Sequence, residues 1–266
     1  MQKTQISVAS WPRRLAALAG LILVGNAAVA ADLARTVAAV KPSVVGVGTF
    51  QKTRSPAIVF SGTGFVVGDG LSVITNAHVV PDLVDATAVE QLGIVTGQAD
   101  QLAFRPALLA GIDREHDLAH LRLSGTPLPT LQLGDTSVPR EGDEVAFTGF
   151  PLGMTLGLNA ATHHGVLAAI TPIVLPSLSA RKLSASAIGQ LNRSPFQIYQ
   201  LDATAYPGNS GSPVYDPASG SVLGVINMVF VKGLKESAIT NPSGITYAVP
   251  VRYVRDLLQK PLHQAK

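Results

Sequence analysis

Ser210 lies in Tyr206-Pro-Gly-Asn-Ser-Gly-Ser-Pro213, where glycine and proline mark a tight turn. A serine in such a turn exposes its hydroxyl, and the neighbouring backbone N–H groups are free to face an oxygen that gains negative charge. This suits the nucleophile of an acyl transfer; taken alone, it describes a plain Gly/Ser turn equally well. No helical pattern follows the segment, so the strand-turn-helix elbow of an α/β-hydrolase does not fit.

A serine nucleophile needs a base, and the chain has six histidines. His78, in Ser72-Val-Ile-Thr-Asn-Ala-His-Val-Val80, stands at the end of an apolar run, where an imidazole can face a cleft. Alone it reads as a structural histidine. An orienting carboxylate is offered by Asp117, in Ile112-Asp-Arg-Glu-His-Asp-Leu-Ala-His-Leu-Arg-Leu123. Strand alternation puts Asp117, Ala119, Leu121 and Leu123 on one face and His120, Arg122 and Ser124 on the other. Asp117 is therefore expected on the core side, where a carboxylate can take a histidine Nδ1–H and fix its tautomer.

The same stretch contains His116-Asp-Leu-Ala-His120, which imitates the His-Glu-x-x-His zinc motif. That motif needs a helix to bring both imidazoles onto one face, whereas the period here is two. His163 and His164 are adjacent and diverge for the same reason. No metal and no cofactor is expected.

The elements that must position these residues are short. Six apolar runs rich in Val and Ile fall near Ser43–Thr49, Phe60–Val67, Leu71–Thr75, Gly93–Thr96, Ala103–Ala110 and Ala119–Leu123. A Pro/Gly/Thr-rich passage from Ser124 to Gly142 follows, then six more near Glu144–Gly149, His163–Thr171, Gln197–Asp202, Ser212–Tyr215, Val222–Val231 and Ile245–Ala248. Helical spacing occurs only at Asp32–Val40 and Val251–Lys260. Twelve short strands with so little helix predict closed antiparallel barrels or a sandwich, because open edges invite aggregation. The even split about the linker favours an all-β chain of two six-stranded antiparallel barrels, at about 43–123 and 144–250, with a short N-terminal helix and a C-terminal helix at 251–260. Ser177–Arg193 has no strand alternation and reads as a surface loop.

The chain has 266 residues, 47% of them hydrophobic and 14% charged, enough for a core of ordinary size and against disorder. Its formal charge of +3 comes from Lys3, Arg13 and Arg14; without them bases and acids are equal in number. These basic residues precede the apolar run Leu15–Val24 and the small-x-small site Ala28-Val29-Ala30, the pattern of a secretory signal peptide over 1–30. The run is about half of the ~20 residues a spanning helix needs. The mature chain, 31–266, is expected to be exported, without a stable membrane anchor and without an electrostatic case for nucleic acid. With no cysteine, no disulfide holds it.

The order His78, Asp117, Ser210 resembles that of chymotrypsin-type double barrels. The likeness is closer to the HtrA/Deg branch of serine peptidases. It rests on Ser61-Gly-Thr-Gly-Phe65, Ile74-Thr-Asn-Ala-His-Val-Val80, Asp117-Leu-Ala, Gly149-Phe-Pro-Leu-Gly153, Gln200-Leu-Asp-Ala203, Pro207-Gly-Asn-Ser-Gly211 and Gly244-Ile-Thr-Tyr-Ala-Val-Pro250. The resemblance implies peptide-bond hydrolysis, with Ser210 as nucleophile, His78 as general base and then acid, and Asp117 as its orienter. The N–H groups of Gly208 and Ser210 would form the oxyanion hole. Thr204, six residues before the nucleophile, would floor the specificity pocket, and Asn227-Met-Val-Phe-Val231, hence Val229, Phe230 and Val231, would wall it. A neutral floor implies small or medium aliphatic P1 residues in an unfolded or extended polypeptide. Periplasmic location rather than full secretion, and a homo-oligomer, are implied by the same likeness.

The chain departs from the family pattern in three places. Ser212 stands where Gly is usual and is expected to crowd the turn. The sequence ends at Lys266, which predicts no PDZ domain. The 177–193 connection is longer than usual, as a regulatory or substrate-contacting loop would be. Asn209 replaces the Asp that zymogens of this fold pair with a new N-terminus, so activation by that ion pair is not expected. Two rivals remain: a trypsin-fold binding or chaperone-like protein with a silent triad, and a serine esterase of another fold, which would need a parallel sheet and long helices.

Overall fold

The structure, a computed structural model, describes residues 33–81, 90–97, 101–135, 139–153, 157–173, 196–227 and 244–260. The signal-peptide reading of 1–30, the 177–193 loop and Val229, Phe230 and Val231 lie outside them. Helix α1 spans 33–40, and a 3-10 turn, Lys41–Ser43, leads into the first barrel. Its strands are β1 (Val44–Phe50), β2 (Ile58–Val67), β3 (Ser72–Thr75), β4 (Gln91–Thr96), β5 (Ala103–Asp113) and β6 (Leu118–Leu123). The second barrel has β7 (Glu144–Gly149), β8 (Ala161–Ile173), β9 (Phe196–Asp202), β10 (Pro213–Tyr215), β11 (Val222–Ile226) and β12 (Ile245–Pro250), followed by helix α2 (Val251–Gln259).

Both barrels close, the first in the order β1-β2-β3-β6-β5-β4 and the second in the order β7-β8-β9-β12-β11-β10. The second order repeats the first, strand for strand. The sequence carries that repeat only as a count of six and six. Closure leaves neither sheet an open edge.

Strands such as β2 and β6 are apolar on both faces because each face meets a different core. In β2, Val66 points into the first barrel while Phe65 and Val67 enter a layer between the barrels. In β6, Ala119, Leu121 and Leu123 line the barrel and Leu118 faces the layer. Phe147, Leu167, Leu201 and Ile226 fill the second barrel. Full burial of one such side chain contributes about 1.5–3 kcal/mol. The central layer also takes Tyr215, Val254 and Leu257, so α2 packs on both barrels.

The linker stitches the barrels rather than looping free. Leu131 bridges to Val67 and Leu133 to Val222, both parallel. Arg255 of α2 donates from Nε to the Gly134 carbonyl at 3.1 Å and from Nη2 to that of Leu133 at 3.0 Å. Among the described residues, no helix is long and apolar enough to cross a membrane.

Candidate active site

His78 is held on a 3-10 turn, Ala77–Val79, that follows β3, rather than at the strand end itself. The Asp117 carbonyl creates this turn by accepting from Ala77 N–H at 3.1 Å and Asn76 Nδ2 at 3.0 Å. The Asp117 carboxylate completes the bracket: Oδ1 accepts from His78 N–H at 2.9 Å, and Oδ2 lies 2.6 Å from His78 Nδ1. A carboxylate oxygen accepts, so the shared proton belongs to Nδ1, and in the neutral imidazole it is Nε2 that carries the lone pair.

Asp117 does not reach this position by strand alternation. It precedes β6 in a left-handed turn with φ of 53°, and the alternation holds only from Leu118 onward. Continued through Asp117, it would have put the carboxylate inside the first barrel beside Ala119. The turn redirects it towards His78 and the second barrel, where Asn227 Nδ2 donates to Oδ2 at 2.7 Å. Asn227 was expected with the pocket wall; it is fully buried against the carboxylate instead.

Ser210 sits in the connection between β9 and β10, 7% exposed. Glycines on either side make this turn possible, Gly208 at φ of 100° and Gly211 at 88°, where a Cβ is strained. The Pro207 carbonyl accepts from Leu152 N–H at 2.7 Å, and the Asn209 carbonyl from Ser212 N–H at 3.0 Å. In a trans peptide the N–H points opposite to the C=O. The N–H groups of Gly208 and Ser210 are thus turned away from these anchors, and among the described residues neither has an acceptor. Two unengaged donors on pinned peptides, one on each side of Asn209, are what an oxyanion cradle requires.

The two barrels meet at this turn through Thr63 of β2. Its N–H donates to the Ser210 carbonyl at 2.8 Å, and its Oγ1 donates to the Gly208 carbonyl at 2.7 Å while accepting from Phe150 N–H at 3.1 Å. At Gly62, a Cβ would come within 2.7 Å of Val79 Cγ2 and 3.0 Å of the Ser210 carbonyl oxygen. The His78 turn and the Ser210 turn therefore flank the same point of β2. Among the described residues no hydrogen bond joins Ser210 Oγ to His78. Such bonds commonly tighten only when substrate is bound. A cleft lined by Ala77, His78, Val80, Pro81, Arg114 and Asp117 opens beside the imidazole.

Ser212 does not crowd Ser210. It is fully buried and points at Gly149, where a Cβ would lie 1.9 Å from its Oγ. Thr204 is half-buried between Ala203 and Ala205, whose backbone is tied to Thr246 Oγ1 at 2.6 and 3.0 Å. The remaining histidines go to separate surroundings. His116 faces Asp113 and His120 is buried on β6, where desolvation lowers its pKa. His163 stacks on Phe147, and burial lowers its pKa too. Asn227, Thr63 and Leu152 stand inside segments the sequence marked, but their roles were not readable there, since each acts through partners that are distant along the chain.

A model of the trypsin-like peptidase domain matches residues 62–225. The mitochondrial serine protease HTRA2 of Drosophila pseudoobscura pseudoobscura is 28% identical over 211 residues, which cover 79% of this chain and 41% of that protein. The chain thus spans less than half the length of this relative. Among solved structures, a protease from M. tuberculosis in its active form matches with a TM-score of 0.62 at 24% identity, over 87% of this chain and 86% of that one. A serine endoprotease from Yersinia pestis matches with a TM-score of 0.58 at 24% identity, over 85% and 65%. The double barrel, its closing helix and these matches agree: the chain belongs to the trypsin-like peptidase domain family and has HtrA serine proteases among its relatives.

Proposed function

We propose that this chain is an exported serine endopeptidase that cleaves unfolded or extended polypeptides through His78, Asp117 and Ser210. Ser210 Oγ attacks the scissile carbonyl carbon while His78 Nε2 takes the hydroxyl proton. The carbonyl oxygen, now an anion, sits between the N–H groups of Gly208 and Ser210. His78 returns the proton to the leaving amine as the C–N bond breaks, and the acyl group stays on Ser210. Water, deprotonated by the same imidazole, then attacks the acyl carbon, and His78 returns that proton to Ser210 Oγ as the C–O bond breaks and the acid leaves. A placed general base contributes about 10²–10⁴-fold, and one oxyanion donor about 10²–10³-fold.

The observation that carries this reading is the pairing of a doubly bonded His78–Asp117 unit with two unengaged N–H groups on pinned peptides. Thr204 as a neutral pocket floor, with Val229, Phe230 and Val231 as its wall, favours small or medium aliphatic P1 residues over Lys or Arg. Export rests on the basic, apolar and small-residue order of 1–30, and the periplasm rather than full secretion on the likeness to HtrA proteases alone.

Intact mass spectrometry after treatment with a fluorophosphonate, beside Ser210→Ala, tests the chemistry. A single adduct that maps to Ser210 and is missing from the variant is the expected result. A folded protein that takes no adduct overturns it in favour of a trypsin-fold binding protein.

A further inference from the structure

The turn that carries Asp117 is gripped from behind by a second cluster that no step of the proposed reaction uses. Asp113, 8% exposed at the end of β5, accepts through Oδ1 from the N–H groups of Glu115 and His116, both at 3.1 Å. Its Oδ2 lies 3.0 Å from His116 Nδ1 and accepts from Lys260 Nζ at 3.2 Å. The His116 ring stacks on Tyr253 of α2, with centroids 3.8 Å apart and planes 18° apart, and meets the edge of Phe196 of β9 at 4.8 Å. Tyr253 is itself covered by the Arg252 guanidinium at 4.7 Å.

These contacts have a direction. Asp113 and His116 belong to the first barrel; Phe196, Tyr253 and Lys260 come from the second barrel and its closing helix. His116 immediately precedes Asp117, whose left-handed φ is costly for a residue with a Cβ and persists only where its surroundings impose it. A rotation of the backbone at His116 swings the Asp117 carboxylate away from the His78 bonds at 2.6 and 2.9 Å. We infer that His116 is a positioning residue: clamped between Asp113 and Tyr253, it fixes the turn that aims Asp117 at His78, and it makes the closing helix part of the catalytic geometry.

This inference rests on the triad proposed above, so its test has a readout outside catalysis. In the full chain, His116→Ala is compared with His116→Phe, which keeps the stack and loses the bond to Asp113, and His116→Asn, which keeps a donor and loses the stack. Tyr253→Leu attacks the clamp from the other barrel. Rates are followed by fluorophosphonate labelling and by turnover of fluorescently labelled casein, and His78 by NMR of its Nδ1–H resonance and ring titration. The expected result is that kcat and labelling rate fall about 10- to 100-fold in His116→Ala with KM within about twofold. The two conservative variants and Tyr253→Leu should fall between it and wild type, with a weakened His78 Nδ1–H signal in each. A lower melting temperature with wild-type kcat and wild-type His78 titration would overturn the inference, because His116 would then be structural only. If the wild-type protein does not label, the triad reading fails, and the His78 NMR comparison alone decides whether His116 aims Asp117.

Discussion

Thr63 of the first barrel donates its hydroxyl proton to the Gly208 carbonyl of the second at 2.7 Å. That carbonyl neighbours both peptides whose N–H groups are proposed as the oxyanion cradle, so a first-barrel side chain sets the geometry of a second-barrel turn. Thr63→Val keeps the shape and removes the donor, leaving the Gly208 carbonyl and Phe150 N–H without their buried partner. The expected cost is about 1–3 kcal/mol of stability and about a tenfold slower fluorophosphonate reaction. Thr63→Ser should restore most of both. Urea unfolding and labelling kinetics read the two effects separately.

Asn227 donates to the same Asp117 oxygen that faces His78 Nδ1. Its removal should let the carboxylate rotate without touching the pocket or the nucleophile. Asn227→Ala is expected to lower kcat about tenfold with KM nearly unchanged, the mark of an interaction that matters more in the transition state than in substrate binding. A matched rise in KM would instead place Asn227 in the substrate site.

The barrels and the candidate site were legible in the sequence for different reasons. Short apolar runs rich in Val and Ile reveal strands, and their even division about the linker gives two barrels. The shared strand order was not legible, because sequence carries no register between strands that are distant along the chain. Ser210 and His78 stand in local patterns that mark them as candidates. Asp117 was found, but the alternation argument for its direction fails at a left-handed residue, which nothing in its own letters announces. Ser212 looked like an obstruction because its neighbour in space, Gly149, lies over sixty positions away.

Buried ionisable groups give the fold a two-step acid response. Desolvation lowers the pKa values of His120 and His163 in the folded state, so the unfolded chain binds their protons first. Their contribution is present above the ordinary value of 6.5 and declines as the pH falls below it. For Asp113, burial opposes ionisation, but the bonds from His116 and Lys260 outweigh it and hold its pKa well below the ordinary 3.8. Its contribution is present above 3.8 and is lost as the pH falls towards the folded-state value. Urea midpoints measured from pH 8 to pH 2 should therefore decline in two stages. Asp113→Asn should flatten the lower stage and His163→Phe reduce the upper one. Asp69, whose pKa the exposed Arg122 pair lowers to about 2, should add a part that salt suppresses, since exposed pairs are screened.

Gly149 and Ser212 form a pair in which one residue permits the other. A methyl group at Gly149 would overlap Ser212 Oγ and come within 2.8 Å of Asn209 Oδ1, in the turn that carries Ser210. Gly149→Ala should therefore destabilise the chain by about 1–3 kcal/mol, the range for overpacking a filled interior, and should slow labelling of Ser210 by distorting Asn209. Ser212→Gly alone should leave the labelling rate near wild type, because the Ser212 side chain packs against Gly149. The double variant is the decisive member of the cycle: with the Ser212 side chain gone, the added methyl loses its closest clash, and the loss from Gly149→Ala should be largely recovered. Strictly additive costs would mean that the methyl is resisted by Asn209 or the backbone instead.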